Sequence, residues 1–158
     1  MSSLQELIES YVTGSRTLRQ AVAGMGREQL LAKPVPGKWS TLQVVCHLAD
    51  SDQAWIHRMK RVIAEERPLL IGYDETRFAN ALAYDDRDVE EELGIFEQSR
   101  RQMARILRSL PPDAFARVGV HSERGLCTLE EMIEVEIDHV SHHLKFISEK
   151  RRALGLTP

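Results

Sequence analysis

Apolar residues recur along most of the chain in alternating steps of three and four, the spacing that places side chains on one face of an α-helix. The pattern predicts four long amphipathic helices, over residues 3–24, 40–66, 86–109 and 128–154. The first carries the stripe Leu4, Ile8, Tyr11, Ser15, Leu18, Val22 and Met25. Because each apolar stripe must be covered by the others, we predict an all-α four-helix bundle.

Cap residues and helix breakers separate these segments. Ser40 with Gln43, and Thr128 with Glu131, have the spacing of capping boxes at the starts of the second and fourth long helices. We predict a linker over residues 26–39 and a long connection over 68–85, with a short helix from about Asp74 to Leu82 and an extended piece from Phe115 to His121. A connection as long as 68–85 predicts a crossover between the second and third long helices.

Length and composition limit the classes of function. With 158 residues and 42% apolar residues, we expect a single bundle domain over residues 1–158. A formal net charge of -3 argues against a nucleic-acid partner, and no apolar run is long enough to cross a membrane. The first residues have no signal-peptide pattern, so we expect a cytoplasmic protein in which Cys46 and Cys127 are packing residues.

The fourth long helix contains a pair of histidines that are candidate metal ligands. His139 and His143 are four residues apart, so their rings lie one above the other on the flank of the core stripe. Such pairs also arise by chance. Two inward imidazoles without a metal or acid partners would, however, leave buried nitrogens unsatisfied, which favours a shared metal ion.

A third ligand should come from another helix, and His47 is the best candidate in the second long helix. On a helical wheel His47 lies about 120° from the centre of that helix's apolar stripe, which predicts a position at the edge of the interface. His57 is the competing candidate, but it lies further from the stripe and beside Arg58, Lys60 and Arg61, so we expect it to be solvated.

Several other polar residues are candidates for catalysis or substrate binding. Glu136 shares a helix face with His139, and Asp52 follows His47 within two turns, close to the middle of that helix's apolar stripe. Either can act as a general base or orient a ligand imidazole. Arg100 occupies a seam position of the third long helix, where it can bind a substrate carboxylate or pair with Asp52 or Glu136. The alternative, which the sequence slightly favours, is that its stem packs while its head reaches solvent. His121 is a weaker candidate for substrate contact.

The run from Pro36 to Ser40, the segment from Val44 to Ser51 and the HVSHH segment from His139 to His143 together resemble the DinB-like superfamily, and within it the YfiT-type metalloenzymes. The resemblance covers nearly the whole chain in element order and spacing. It implies a four-helix bundle that is often dimeric, so we expect a homodimer. It also implies one divalent transition metal, zinc, nickel or iron, on His47, His139 and His143.

For function, the resemblance implies a metal-dependent enzyme that activates water or a low-molecular-weight thiol toward a small-molecule substrate, as a hydrolase or a thiol S-transferase. Three imidazoles leave open positions on the ion, and this serves both reactions equally. Two alternatives remain open from the sequence. One is a stress-response module that binds a metal or small molecule without turnover, and the other is a structural bundle whose histidines only pack.

Overall fold

The computed structural model describes residues 3–157. Four long helices in this range pack side by side, and shorter elements lie in the connections. The helices are α1 (Leu4–Val22), α2 (Arg27–Leu31), α3 (Thr41–Ala64), α4 (Glu75–Ala81), α5 (Val89–Arg108) and α6 (Leu129–Ala153), and the strands are β1 (Leu69–Leu70), β2 (Val118–His121) and β3 (Gly125–Thr128).

The long helices form a four-helix bundle, as predicted from the sequence. Helices α1 and α3 each pack against both α5 and α6. The first two long helices of the chain, α1 and α3, therefore lie diagonally opposite each other. Within residues 3–157, no helix is long and apolar enough to cross a membrane.

The predicted helix starts are confirmed where the sequence has a capping box. The Ser40 hydroxyl accepts a hydrogen bond from the Gln43 N–H (3.1 Å), and the Gln43 side chain accepts one from the Ser40 N–H (3.0 Å). Thr128 and Glu131 form the same reciprocal pair. These caps satisfy backbone donors that would otherwise have no partner in the first turn, and they fix where α3 and α6 begin.

Other boundaries differ from the prediction. The linker over 26–39 contains the short helix α2, and α3 ends at Ala64 because Glu65 is already extended. Helix α5 begins at Val89 instead of residue 86, because Tyr84–Asp86 form a 3₁₀ turn and Asp88 caps the helix through the Glu91 N–H. The short helix predicted from Asp74 to Leu82 is present as α4, with these two residues as its caps.

A small three-stranded sheet is the main element that the sequence did not predict. Strand β2 pairs in parallel with β1 and antiparallel with β3. The extended piece predicted from Phe115 to His121 is correct only for its second half, because Pro112–Ala116 form a 3₁₀ turn. Strands of two to four residues carry too little alternation to be recognised. The sheet holds His121 at the bundle's edge.

A buried polar layer divides the bundle core in two. One apolar cluster contains Tyr11, Met59, Met103 and Ile133, and the other contains Leu18, Leu48, Phe96 and Val140. On each of α3, α5 and α6, one charged residue separates the two clusters. These residues are Asp52, Arg100 and Glu136, and none of their side chains is more than 1% exposed.

Arg100 is the centre of this layer. Its guanidinium donates to Asp52 Oδ1 (2.8 Å), to the Tyr11 carbonyl (2.9 Å) and to Glu136 Oε2 (3.3 Å). A Cβ at Gly14 would lie 2.8 Å from Arg100 Nη1, so glycine is what lets α1 approach the charge. The interpretation that the head of Arg100 reaches solvent is therefore wrong. Two carboxyl groups and a backbone carbonyl, from three other helices, supply the partners that a buried guanidinium needs.

This arrangement predicts that Arg100→Met lowers the free energy of unfolding by about 3–5 kcal/mol, because Asp52 and Glu136 lose their buried cation. Urea denaturation followed by circular dichroism measures the change. Arg101→Met, at the exposed neighbouring position, serves as the control and should stay within about 0.5 kcal/mol of the wild type. Equal stabilities of the two variants would contradict the role assigned to the layer.

Candidate metal centre

Two neighbouring helices bring three histidines together. His47 lies on α3, two turns after the Ser40 cap, while His139 and His143 lie one turn apart on α6. Because α3 and α6 pack against each other, all three rings meet in the interface between them. His47 is only 1% exposed. The wheel prediction that placed it at the edge of the interface is therefore wrong, since α3 is covered on more than one side.

The three rings point the same type of nitrogen at one another. Nε2 of His139 lies 3.0 Å from Nε2 of His47 and 3.1 Å from Nε2 of His143. All three ligand atoms lie within 4.8 Å of one another. Each remaining ring nitrogen, Nδ1, therefore faces away from the meeting point.

Hydrogen bonding alone does not account for these contacts. A neutral imidazole nitrogen carries either one N–H or one lone pair, so Nε2 of His139 can make a well-aligned hydrogen bond to only one of its two neighbours. Two nitrogens held about 2.1 Å from one ion at a near right angle lie about 3.0 Å apart. The two short contacts at His139 thus fit nitrogens that share one transition-metal ion.

The three imidazole rings are in the protonation state that metal binding requires. Burial and the neighbouring imidazoles lower the pKa of His139 to about 3, and burial together with His47 lowers the pKa of His143 to about 3. Burial also lowers the pKa of His47. All three are therefore neutral near pH 7, and neutral imidazole is the form that binds a metal.

The two acids expected to assist catalysis lie behind the histidines, in the polar layer. Asp52 is bound to Arg100, and Glu136 Oε1 lies 3.9 Å from Nδ1 of His139, beyond hydrogen-bonding range. Burial, followed by the nearby Asp52 carboxyl, raises the pKa of Glu136 well above its usual range. Neither acid lines the cavity described next. Neither acid is therefore placed to contact a substrate in that cavity, and Glu136 is the one that lies near a ligand imidazole.

A cavity of about 410 Å³ opens beside the three-histidine cluster. His47 and His139 form part of its wall, together with Trp55, Arg58 and His121. His121, predicted to contact the substrate, is therefore one of the residues that line this cavity. Arg100, predicted as a second substrate contact, does not line the cavity and has no exposed surface.

The remaining histidines of α3 and α6, His57 and His142, are not part of the three-histidine cluster. His57 is exposed on α3 and does not line the cavity. His142 is also exposed, although its ring lies 5.3 Å from that of His143 and contributes to the cavity wall.

Glu75 is a potential functional residue that the sequence analysis missed. It lies in the first turn of α4, and its Oε2 is 3.7 Å from Nε2 of His47. Its side chain is 61% exposed. It also lines a second cavity of about 270 Å³, which contains His143. Its only signal in the sequence was its place at the start of the predicted short helix.

Comparisons with known proteins agree with this architecture. A protein of Oceanobacillus iheyensis named "Putative metal-dependent hydrolase" is 32% identical over 133 residues, which cover 84% of this chain and 77% of that protein. The protein YfiT of Bacillus subtilis, with the same description, is 31% identical over 139 residues, covering 87% of this chain and 78% of YfiT.

Solved structures show the same fold. YfiT, described as a probable metal-dependent hydrolase with an unusual four-helix bundle topology, superposes with a TM-score of 0.92 at 28% identity, over 99% of this chain and 91% of YfiT. A mycothiol-dependent maleylpyruvate isomerase shares the fold at 15% identity, with a TM-score of 0.72. This chain covers 60% of that isomerase. A sequence model of the DinB superfamily matches residues 11–147, and the chain therefore belongs to the DinB superfamily.

Proposed function

We propose that this protein holds one divalent transition metal ion on His47, His139 and His143 and uses it to hydrolyse a small-molecule substrate. The observation that carries the proposal is the double short contact at Nε2 of His139, which a shared cation explains. The descriptions of the relatives from Oceanobacillus iheyensis and Bacillus subtilis as metal-dependent hydrolases support it. Zinc, nickel and iron all suit three imidazole nitrogens.

The ligand set explains why catalysis is favoured over structural support. Three protein ligands leave at least one position open on a four-coordinate ion, whereas structural sites are closed by four. When bound, such an ion supplies Lewis-acid chemistry and lowers the pKa of a water molecule or thiol that it contacts. The cavity beside His47 and His139 gives a small molecule access to that position.

The surrounding residues have distinct proposed tasks. Glu75 Oε2, on the solvent side of His47, accepts the proton that the attacking water releases. Glu136, on the buried side, lies 3.9 Å from Nδ1 of His139 and would orient that ring once metal binding brings the two within hydrogen-bonding range. Asp52 and Arg100 act indirectly. Arg100 binds both Asp52 and the Glu136 carboxyl, and so holds that carboxyl in place.

Thiol transfer is the second candidate. The isomerase that shares the fold is described as mycothiol-dependent. A thiol that contacts the ion would lose its proton as readily as water does. The third candidate is a module that binds the metal or a small molecule without turnover.

Metal content is the first test of the proposal. His143→Ala removes one of three ligands, so we expect purified protein without a histidine tag to lose most of its zinc, nickel or iron by elemental analysis. His142→Ala is the matched control, because this exposed neighbour does not share the meeting point of the three nitrogens. Stoichiometric metal in His143→Ala would overturn the ligand assignment.

Turnover is the second test. We expect metal-loaded protein to hydrolyse 4-nitrophenyl acetate, and Glu75→Gln to lower kcat about 100-fold without changing the metal content. Asp138→Asn, an exposed acid on the wall of the same cavity, is the control and should retain the wild-type rate.

The same preparations separate the three candidates. Conjugation of cysteine to 1-chloro-2,4-dinitrobenzene without ester hydrolysis would favour thiol transfer. Absence of both reactions in fully loaded protein would favour the binding module.

A further inference from the structure

The floor of the larger cavity contains a buried positive charge that has no acidic partner. Arg58 is 6% exposed and follows His47 by three helical turns, so both residues lie on the same side of α3. Its Nη2 donates to the Ile71 carbonyl at 2.6 Å. Within residues 3–157, no carboxylate oxygen lies within 4.0 Å of a guanidinium nitrogen of Arg58, the limit for an ion pair. A buried guanidinium with one acceptor leaves most of its five N–H groups unused.

His121, which lines the same cavity, has a donor without a partner. Its Nδ1 accepts a hydrogen bond from the Glu123 N–H at 3.2 Å, so the proton of the neutral ring is on Nε2. That Nε2 is buried and has no partner among the described residues. Burial, together with the nearby Arg58 charge, lowers the pKa of His121 and keeps the ring neutral. The missing partner is therefore an acceptor.

Trp55 connects these two donors. Its ring stacks on His121, with 5.5 Å between the centroids and 14° between the planes, and the Arg58 guanidinium lies 4.8 Å from its centroid. The cavity thus has two unused donors beside an apolar aromatic surface. Its other charged wall residues are exposed: Glu75, Glu123, Arg124 and Asp138. Solvent screens these rim charges, whereas the charge on the floor is buried and positive.

We propose that this cavity binds a small molecule carrying a carboxylate, which accepts hydrogen bonds from Arg58 and from Nε2 of His121. The planar carboxylate matches the fork of a guanidinium, and the carbon chain beside it packs on Trp55. The other end of the molecule then lies toward His47 and His139 in the same cavity. The reaction itself is the one given by the proposed function, on which this inference rests. The inference adds the class of substrate, which is a small molecule with a carboxylate.

Glutarate and its neutral analogue glutaramide test the proposal by NMR titration of protein freed of metal with a chelator. Without an ion, a carboxylate cannot bind through the three histidines. We expect glutarate, and not glutaramide, to shift the indole N–H signal of Trp55. Arg58→Met should raise the dissociation constant for glutarate at least tenfold, while Arg105→Met, on an exposed face of α5, should not change it.

Several results would overturn the proposal. These are equal binding of glutarate and glutaramide, wild-type affinity in Arg58→Met, and a response to inorganic phosphate without one to glutarate. If Arg58→Met does not fold, His121→Phe removes the second donor while it keeps a ring against Trp55, and the same tenfold weakening is expected. Because binding is measured without metal, loss of hydrolysis leaves this test intact, and failure of this test leaves the metal assignment intact.

Discussion

One imidazole nitrogen has two close nitrogen neighbours, although hydrogen bonding between neutral rings can satisfy only one of them. Nε2 of His139 has one lone pair or one proton, yet it faces Nε2 of both His47 and His143 at about hydrogen-bond distance. Burial keeps the rings neutral, so the lone pairs are available. The proposed metal ion would resolve this conflict, because all three lone pairs can bind it. The proposed hydrolysis depends on this convergence, because the wall of the adjoining cavity contains His47 and His139.

The bundle holds those rings in place through its buried polar layer. Asp52, Arg100 and Glu136 come from three different helices, and Arg100 also binds the backbone of α1. A charged layer tolerates a shift of one helix far less than an apolar core does, because a shift would leave a buried charge unpaired. Glu136 precedes His139 by one turn of α6. The layer therefore sets the alignment of α3 against α6 on which the meeting of the rings depends.

The sequence predicted those features that depend on local chemistry or on a single helix face. The four helices, two capping boxes and the stacked pair on α6 follow from spacing alone. His47 was misplaced because a wheel assumes one buried face, whereas Thr41–Ala49 of α3 are buried on every side. The pairing of Arg100 depends on which residues three other helices bring to it. The proposed roles of Glu75 and Arg58 could not be predicted, because they depend on the path of the connection after α3. Periodicity does not determine that path.

Anomalous scattering from crystals of the metal-loaded protein tests the central claim most directly. Data collected on both sides of the metal's absorption edge should give one strong peak between α3 and α6, at about 2.0–2.2 Å from Nε2 of His47, His139 and His143. A peak elsewhere on the protein, or one coordinated by only two of these rings, would contradict the account.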